Sequence, residues 1–168
     1  WDSVQLKMAD QSIQPRGSKK AQLEGALLKG RIFDVEGNHY SPAYSNKNGR
    51  RYSYYISQTL IQYRRHPDGI MARLPAYDLD RAVIQAIHAK ICEIMEEESV
   101  SIGEDSILNA IEKVVVSQNR LEIQLSKIAF KNEIESSLKT RIFKDLSDVQ
   151  SITIPFFVKR GQNGAIVI

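Results

Sequence analysis

Residues 27–58 read LLKGRIFDVEGNHYSPAYSNKNGRRYSYYISQ, and this stretch decides how the first half of the chain is read. An apolar run (Leu27, Leu28, Ile32, Phe33) meets a turn signal at residues 34–38, Asp-Val-Glu-Gly-Asn. A polar, basic Ser-Asn-Lys-Asn-Gly-Arg-Arg segment follows, and then an aromatic strand over residues 52–57. The spacing predicts a strand, a turn, a second strand, a cationic loop with Asn48-Gly49 at its tip, and a third strand. A cationic loop beside tyrosines is a common way to hold a phosphate backbone.

Outward from this ribbon, the chain alternates turn chemistry with apolar periodicity. Residues 1–9 have a weak helical spacing and read as the end of a helix that begins upstream. Residues 11–22 (QSIQPRGSKKAQ) have the composition of a basic linker, either a solvated tether or a segment lying along phosphates. Residues 60–71 read as a polar connection carrying Arg64, Arg65 and His66. From Ala76 to about Glu97, apolar residues at 79, 82, 83, 86, 87, 91, 94 and 95 predict an amphipathic helix. Pro75, Asp78 and Asp80 suit its start, through fixed φ and the helix macrodipole. A second helix is expected over 104–113, strands over 114–116 and 121–125, and a terminal hairpin over 152–168 with Pro155 at an edge. Residues 128–148 are ambiguous. The fold class expected is α+β, with antiparallel hairpins and two or three helices. Its divisions are an upstream helix end and linker (1–22), a ribbon-like segment (23–75), and a helical segment with hairpins (76–168).

The chain has 168 residues, 42% hydrophobic and 26% charged, which fits a globular protein with a real core. No apolar run approaches the roughly 20 residues that span a bilayer, and no secretory pattern opens the chain, so no membrane partner is expected. One cysteine, Cys92, excludes an internal disulfide framework and a cysteine-rich zinc site, and its apolar helical neighbours suggest a buried structural thiol. The net charge of +3 is uneven: residues 1–84 hold 13 Lys+Arg against 8 Asp+Glu, residues 85–118 hold 2 against 7, and residues 119–168 hold 8 against 5. Such a distribution suits one attractive face for a polyanion, and equally ordinary surface patterning.

Lys47, Arg50 and Arg51 with Tyr44, Tyr52, Tyr54 and Tyr55 form the best candidate site. Guanidinium forks match phosphate oxygens or a guanine edge, and tyrosine hydroxyls reach the backbone. On a strand, Tyr52 and Tyr54 share one face and Tyr55 takes the other. Either Tyr55 enters the core and Tyr52 or Tyr54 faces the partner, or the reverse. The plainer alternative is a solubilising loop followed by a half-buried aromatic strand. Arg64, Arg65, His66 and Arg73 could extend the cationic surface, with Lys159 and Arg160 beyond them. His39, His66 and His88 fall in no metal-ligand or nucleophile spacing, and no phosphate-cradling glycine loop occurs. The chain by itself does not read as an enzyme.

The order of blocks resembles the C-terminal part of the larger serine site-specific recombinases. WDSVQLKM at residues 1–8, LLKGRIFD at 27–34 and SPAYSNKNGRRYSYYIS at 41–57 carry the likeness. LPAYDLDRAVIQAI at 74–87 and SITIPFFVKRGQNGAIVI at 151–168 complete it, while residues 128–148 contribute little. The resemblance implies a DNA-binding accessory region of a cytoplasmic, nucleoid-associated recombinase, with double-stranded DNA and other recombinase subunits as partners. The serine that attacks DNA would lie in a catalytic domain to which nothing here corresponds. Relatives carry a four-cysteine zinc ribbon where residues 28–57 stand. Without those cysteines no zinc or other cofactor is expected, and the ribbon must rest on apolar packing by Leu28, Ile32, Phe33 and Tyr55. The competing expectation is a protein-interaction module, using the amphipathic helix and the acidic middle for subunit assembly.

Overall fold

A computed structural model describes residues 26–62, 71–95, 101–138 and 150–156. These fold as α+β, with strands β1 (Ile32–Asp34), β2 (Tyr40–Lys47), β3 (Arg50–Ser57), β4 (Arg73–Pro75), β5 (Ile111–Val116), β6 (Arg120–Leu125) and β7 (Ser151–Pro155). Four helices accompany them: a single turn α1 (Gln58–Ile61), the long α2 (Ala76–Met95), α3 (Glu104–Ala110) and α4 (Lys127–Leu138).

The strands form two sheets, one ordered β2-β3-β4 and the other β1-β5-β6-β7. The first is wholly antiparallel and is built on the Asn-Gly turn. Asn48 (φ 53°) and Gly49 (φ 72°) both adopt the left-handed conformation that a two-residue type I′ hairpin turn requires. That geometry matches the right-handed twist of the strands, so eight residues on each side pair in full register, from Lys47↔Arg50 to Tyr40↔Ser57.

β1 departs from the expected ribbon. The turn over residues 34–38 forms, with the Asp34 carboxylate accepting from the Glu36 and Asn38 backbone N–H groups at 2.9 and 2.8 Å. Yet β1 forms no ladder with β2: the two arms meet at the isolated antiparallel bridge Phe33↔His39, just before β2 begins, and at the Asp34 N–H to Asn38 carbonyl bond of 2.9 Å. Its ladder runs parallel to β5 in the other sheet, Ile32↔Val114 to Asp34↔Val116. The Val-Val-Val strand offers Ile32 a buried partner, and Arg31 donates to the Leu108 backbone carbonyl as a further tether.

α2 carries Leu79, Val83, Ile87 and Ile91, all fully buried at four-residue spacing, and packs against β3, β4 and β7. The second helix ends at Ala110 instead of continuing to Lys113. Ile111 is already extended (φ −77°, ψ 121°), as the β-branched run 111–116 favours pleated pairing over helix. The ambiguous stretch after residue 127 begins with helix α4, whose Phe130 is buried. The terminal hairpin is described only through β7 and Phe156; residues 157–168 lie outside the described residues.

Leu28, Ile32, Tyr40, Tyr55 and Leu74 from the first half join α2, β5, β6, Phe130 and Phe156 in one contiguous core. The two expected segments, 23–75 and 76–168, thus share their burial.

Candidate nucleic-acid interface

β4 pairs only with Tyr54, Tyr55 and Ile56 of β3. Beyond them, towards the tip, the hairpin continues as a two-stranded ribbon in which every residue from Tyr44 to Tyr52 is exposed. Directly paired residues project to the same face of an antiparallel sheet. The pairs Lys47↔Arg50, Ser45↔Tyr52, Ala43↔Tyr54, Tyr54↔Pro75 and Ile56↔Arg73 therefore define one face.

Five of the eight sequence-predicted contact residues, Lys47, Arg50, Tyr52, Tyr54 and Arg73, share that face. Lys47 and Arg50 stand at the tip, Tyr52 (41% exposed) and the half-buried Tyr54 lie in the middle, and exposed Arg73 lies at the base. At about 3.3 Å per residue the stripe runs roughly 20 Å from Arg50 to the level of Arg73. No carboxylate occupies a strand position on it, and the sequence has no acidic residue between Glu36 and Asp68.

Arg51 takes the other face, opposite Asn46. Its guanidinium stacks over the Tyr44 ring at 4.1 Å, a diagonal cross-strand cation–π contact worth about 0.5–1 kcal/mol at an exposed site. Arg64, Arg65 and His66 lie outside the described residues, as do Lys159, Arg160 and the linker 11–22.

The ribbon's base is anchored by a buried polar cluster. Tyr55 projects opposite to Tyr54 into the core, where its hydroxyl donates to Asp80 Oδ1 at 2.6 Å and accepts from the Leu28 N–H at 2.9 Å. Asp80 Oδ2 accepts from the Leu27 N–H at 2.8 Å. β3, α2 and the segment leading into β1 thus meet at one carboxylate that is 3% exposed. Burial pushes the Asp80 carboxyl above the ordinary aspartate value, and hydrogen bonds from Tyr55 and the Leu27 and Leu28 N–H groups oppose the rise. Burial, followed by the nearby Asp80 charge, raises the Tyr55 phenol as well. Tyr40 is anchored likewise, its buried hydroxyl donating to the Met71 carbonyl at 2.7 Å.

The sequence places Asp80 at the helix start, and its role in this cluster emerges only in the fold. The available signal was its position four residues from Ala76 and one from Leu79, within the apolar face of α2, where an ionisable side chain needs a partner. Leu28, Ile32 and Tyr55 are fully buried and supply the apolar packing expected of them. Phe33 does not: it is half-exposed, with Lys113 Nζ 4.5 Å from its ring centroid and His39 at 4.1 Å. Cys92 is half-buried rather than buried, 3.5 Å from His88 Nδ1 one helical turn away.

Among the described residues no group of three or more His, Cys, Asp or Glu side chains could hold a metal ion, and no helix is long and apolar enough to cross a membrane. No protein-family model, curated protein or solved structure matches the chain.

Proposed function

We propose that this chain is a DNA-binding accessory region of a serine site-specific recombinase and positions that enzyme on its recombination site. The observation that carries the reading is the shared face of Lys47, Arg50, Tyr52, Tyr54 and Arg73 on a protruding ribbon without carboxylates. Duplex DNA presents one phosphate per strand for each 3.4 Å of helix axis, so a stripe of about 20 Å laid along the axis spans roughly six steps. A two-stranded β-ribbon also fits the major groove, which is about 12 Å wide. The ribbon is held by Tyr55 and Asp80 in the core, so its charges are presented from a rigid base. The attachment to a recombinase rests on the order of sequence blocks alone.

Amide chemical-shift mapping with a short random duplex tests the assignment. Shifts concentrated at residues 45–54 and Arg73 support it. Shifts confined to the outer side of α2, around Tyr77, Arg81 and Gln85, refute it. The protein-interaction reading draws on that same region, where Leu27, Tyr77 and Ile84 border a cavity of about 370 Å³.

A further inference from the structure

The face that carries Lys47, Arg50 and Arg73 is asymmetric across its two long strands. β3 contributes Arg50, Tyr52, Tyr54 and Ile56, while β2 sets Ser45, Ala43 and Ser41 against Tyr52, Tyr54 and Ile56. Each tyrosine thus has a small residue as its direct neighbour on β2. β4 reaches only as far as Tyr54, so Tyr52 stands on the two-stranded part of the ribbon, 41% exposed, opposite the exposed Ser45. Cations lie at both ends of the tyrosine pair, Lys47 and Arg50 towards the tip and Arg73 at the base. A strip of charge, aromatic rings and charge can track a nucleic-acid backbone while offering its bases a surface on which to stack.

Spacing and chemistry decide which form of DNA can use both parts. Residues two apart on a strand stand about 6.7 Å apart, whereas duplex DNA advances one step for each 3.4 Å of axis. Successive bases therefore reach both tyrosines only when their own stack opens. A duplex also turns base edges, not base faces, towards its grooves. An unpaired strand is free to open its stack, and every base in it has a π-face. We propose that this face also binds an unpaired DNA strand, with successive bases stacked on Tyr52 and Tyr54 and with Lys47, Arg50 and Arg73 on the flanking phosphates. The inference rests on the DNA-binding reading above and adds a second form of DNA to the same site.

The test compares labelled probes by fluorescence anisotropy with the full chain. One is an oligothymidylate of about 12 nucleotides, within the range of single-strand sites. Another is a strand of the same length built from stable abasic residues, which keeps the phosphates and removes the bases; the last is a random duplex. Wild type is expected to hold oligothymidylate more tightly than the abasic strand. Tyr52→Leu keeps apolar bulk without the aromatic ring. It should weaken oligothymidylate binding by roughly five- to 150-fold, the range for one stacked base, with little change on the abasic strand. Tyr52→Phe keeps the ring and should bind like wild type. Lys47→Ala/Arg50→Ala should weaken binding of every probe. Three results each overturn the stacking role: an affinity for oligothymidylate no greater than for the abasic strand, a preference that survives Tyr52→Leu, or one lost in Tyr52→Phe. Duplex binding in those cases leaves the DNA-binding reading standing. Binding of oligothymidylate but not of the duplex supports the inference and overturns positioning on a duplex site. Absence of binding to any probe at low salt overturns both.

Discussion

Replacing Tyr55 by Phe removes one oxygen atom from the point where β3, α2 and the segment before β1 meet. The ring stays, so core volume is nearly conserved and cavity formation contributes little. Two hydrogen bonds are lost. The first is the 2.6 Å bond to Asp80, in which the acceptor is a carboxylate in a buried setting; bonds of this kind contribute about 1.5–3 kcal/mol. The second is the 2.9 Å bond from the Leu28 N–H, which contributes about 1 kcal/mol. The expected destabilisation is therefore about 2.5–4 kcal/mol, or a fall in Tm of roughly 5–15 °C for a chain of this size class. Urea unfolding followed by circular dichroism at pH about 8, above the ordinary carboxylate range, reads it as a lower midpoint at unchanged slope. A double-mutant cycle with Asp80→Ala should recover a coupling of more than about 1 kcal/mol between the two side chains. A loss below about 0.5 kcal/mol in the single variant would refute the view that this cluster anchors the ribbon.

Asp80 also makes a prediction about pH. Its carboxyl is held above the ordinary value, so the folded chain binds that proton more tightly than the unfolded chain does. Its contribution is full below the ordinary carboxylate value and is lost as pH rises through the folded one. The stability of wild type relative to Asp80→Asn should thus decline with rising pH across that window, and a rising difference contradicts the assignment. Gly49→Val places a β-branched residue at φ 72° with open space around it, so backbone strain alone should destabilise the hairpin by about 1–2 kcal/mol. Faster amide exchange confined to β2 and β3 would register it. Ile87→Ala, at a fully buried site on α2, should cost about 2–5 kcal/mol by denaturant unfolding, and a near-neutral effect would place Ile87 outside the shared core.

What could be read from the sequence follows from how local each signal is. Asn48-Gly49 dictates a hairpin by backbone geometry alone, and the 79-83-87-91 spacing dictates α2, so both were legible. The separation of Tyr55 from Tyr52 and Tyr54 followed from the two-residue period of a strand, although which side met the core did not. β1 was legible as a strand but not in its pairing, because three residues cannot specify whether their partner is the next strand or one some eighty positions away. The helix over 104–110 looks longer in sequence because Ile111 continues the apolar spacing of Ile107 and Leu108, and only the strand that follows ends it. Asp80 was visible as a carboxylate at a helix start. Its partnership with Tyr55 spans 25 residues and depends on the tertiary crossing of β3 and α2. The face shared by Arg73 and Arg50 was out of reach for the same reason, since it exists only once β4 pairs with β3.

On the proposed reading, the exposed cationic face of the ribbon holds phosphates. The most direct test is the slope of log Kobs against log salt concentration, measured by fluorescence anisotropy for a random duplex with the full chain. Wild type, Lys47→Ala/Arg50→Ala, and a control substitution of the exposed Arg81 on α2 would be compared. Each phosphate neutralised contributes about 0.9 to the magnitude of the slope. Phosphate contacts by Lys47 and Arg50 predict steep salt dependence in wild type, a slope shallower by about two in the double variant, and no change in the control. Equal slopes in all three proteins, or no duplex binding at low salt, would contradict it.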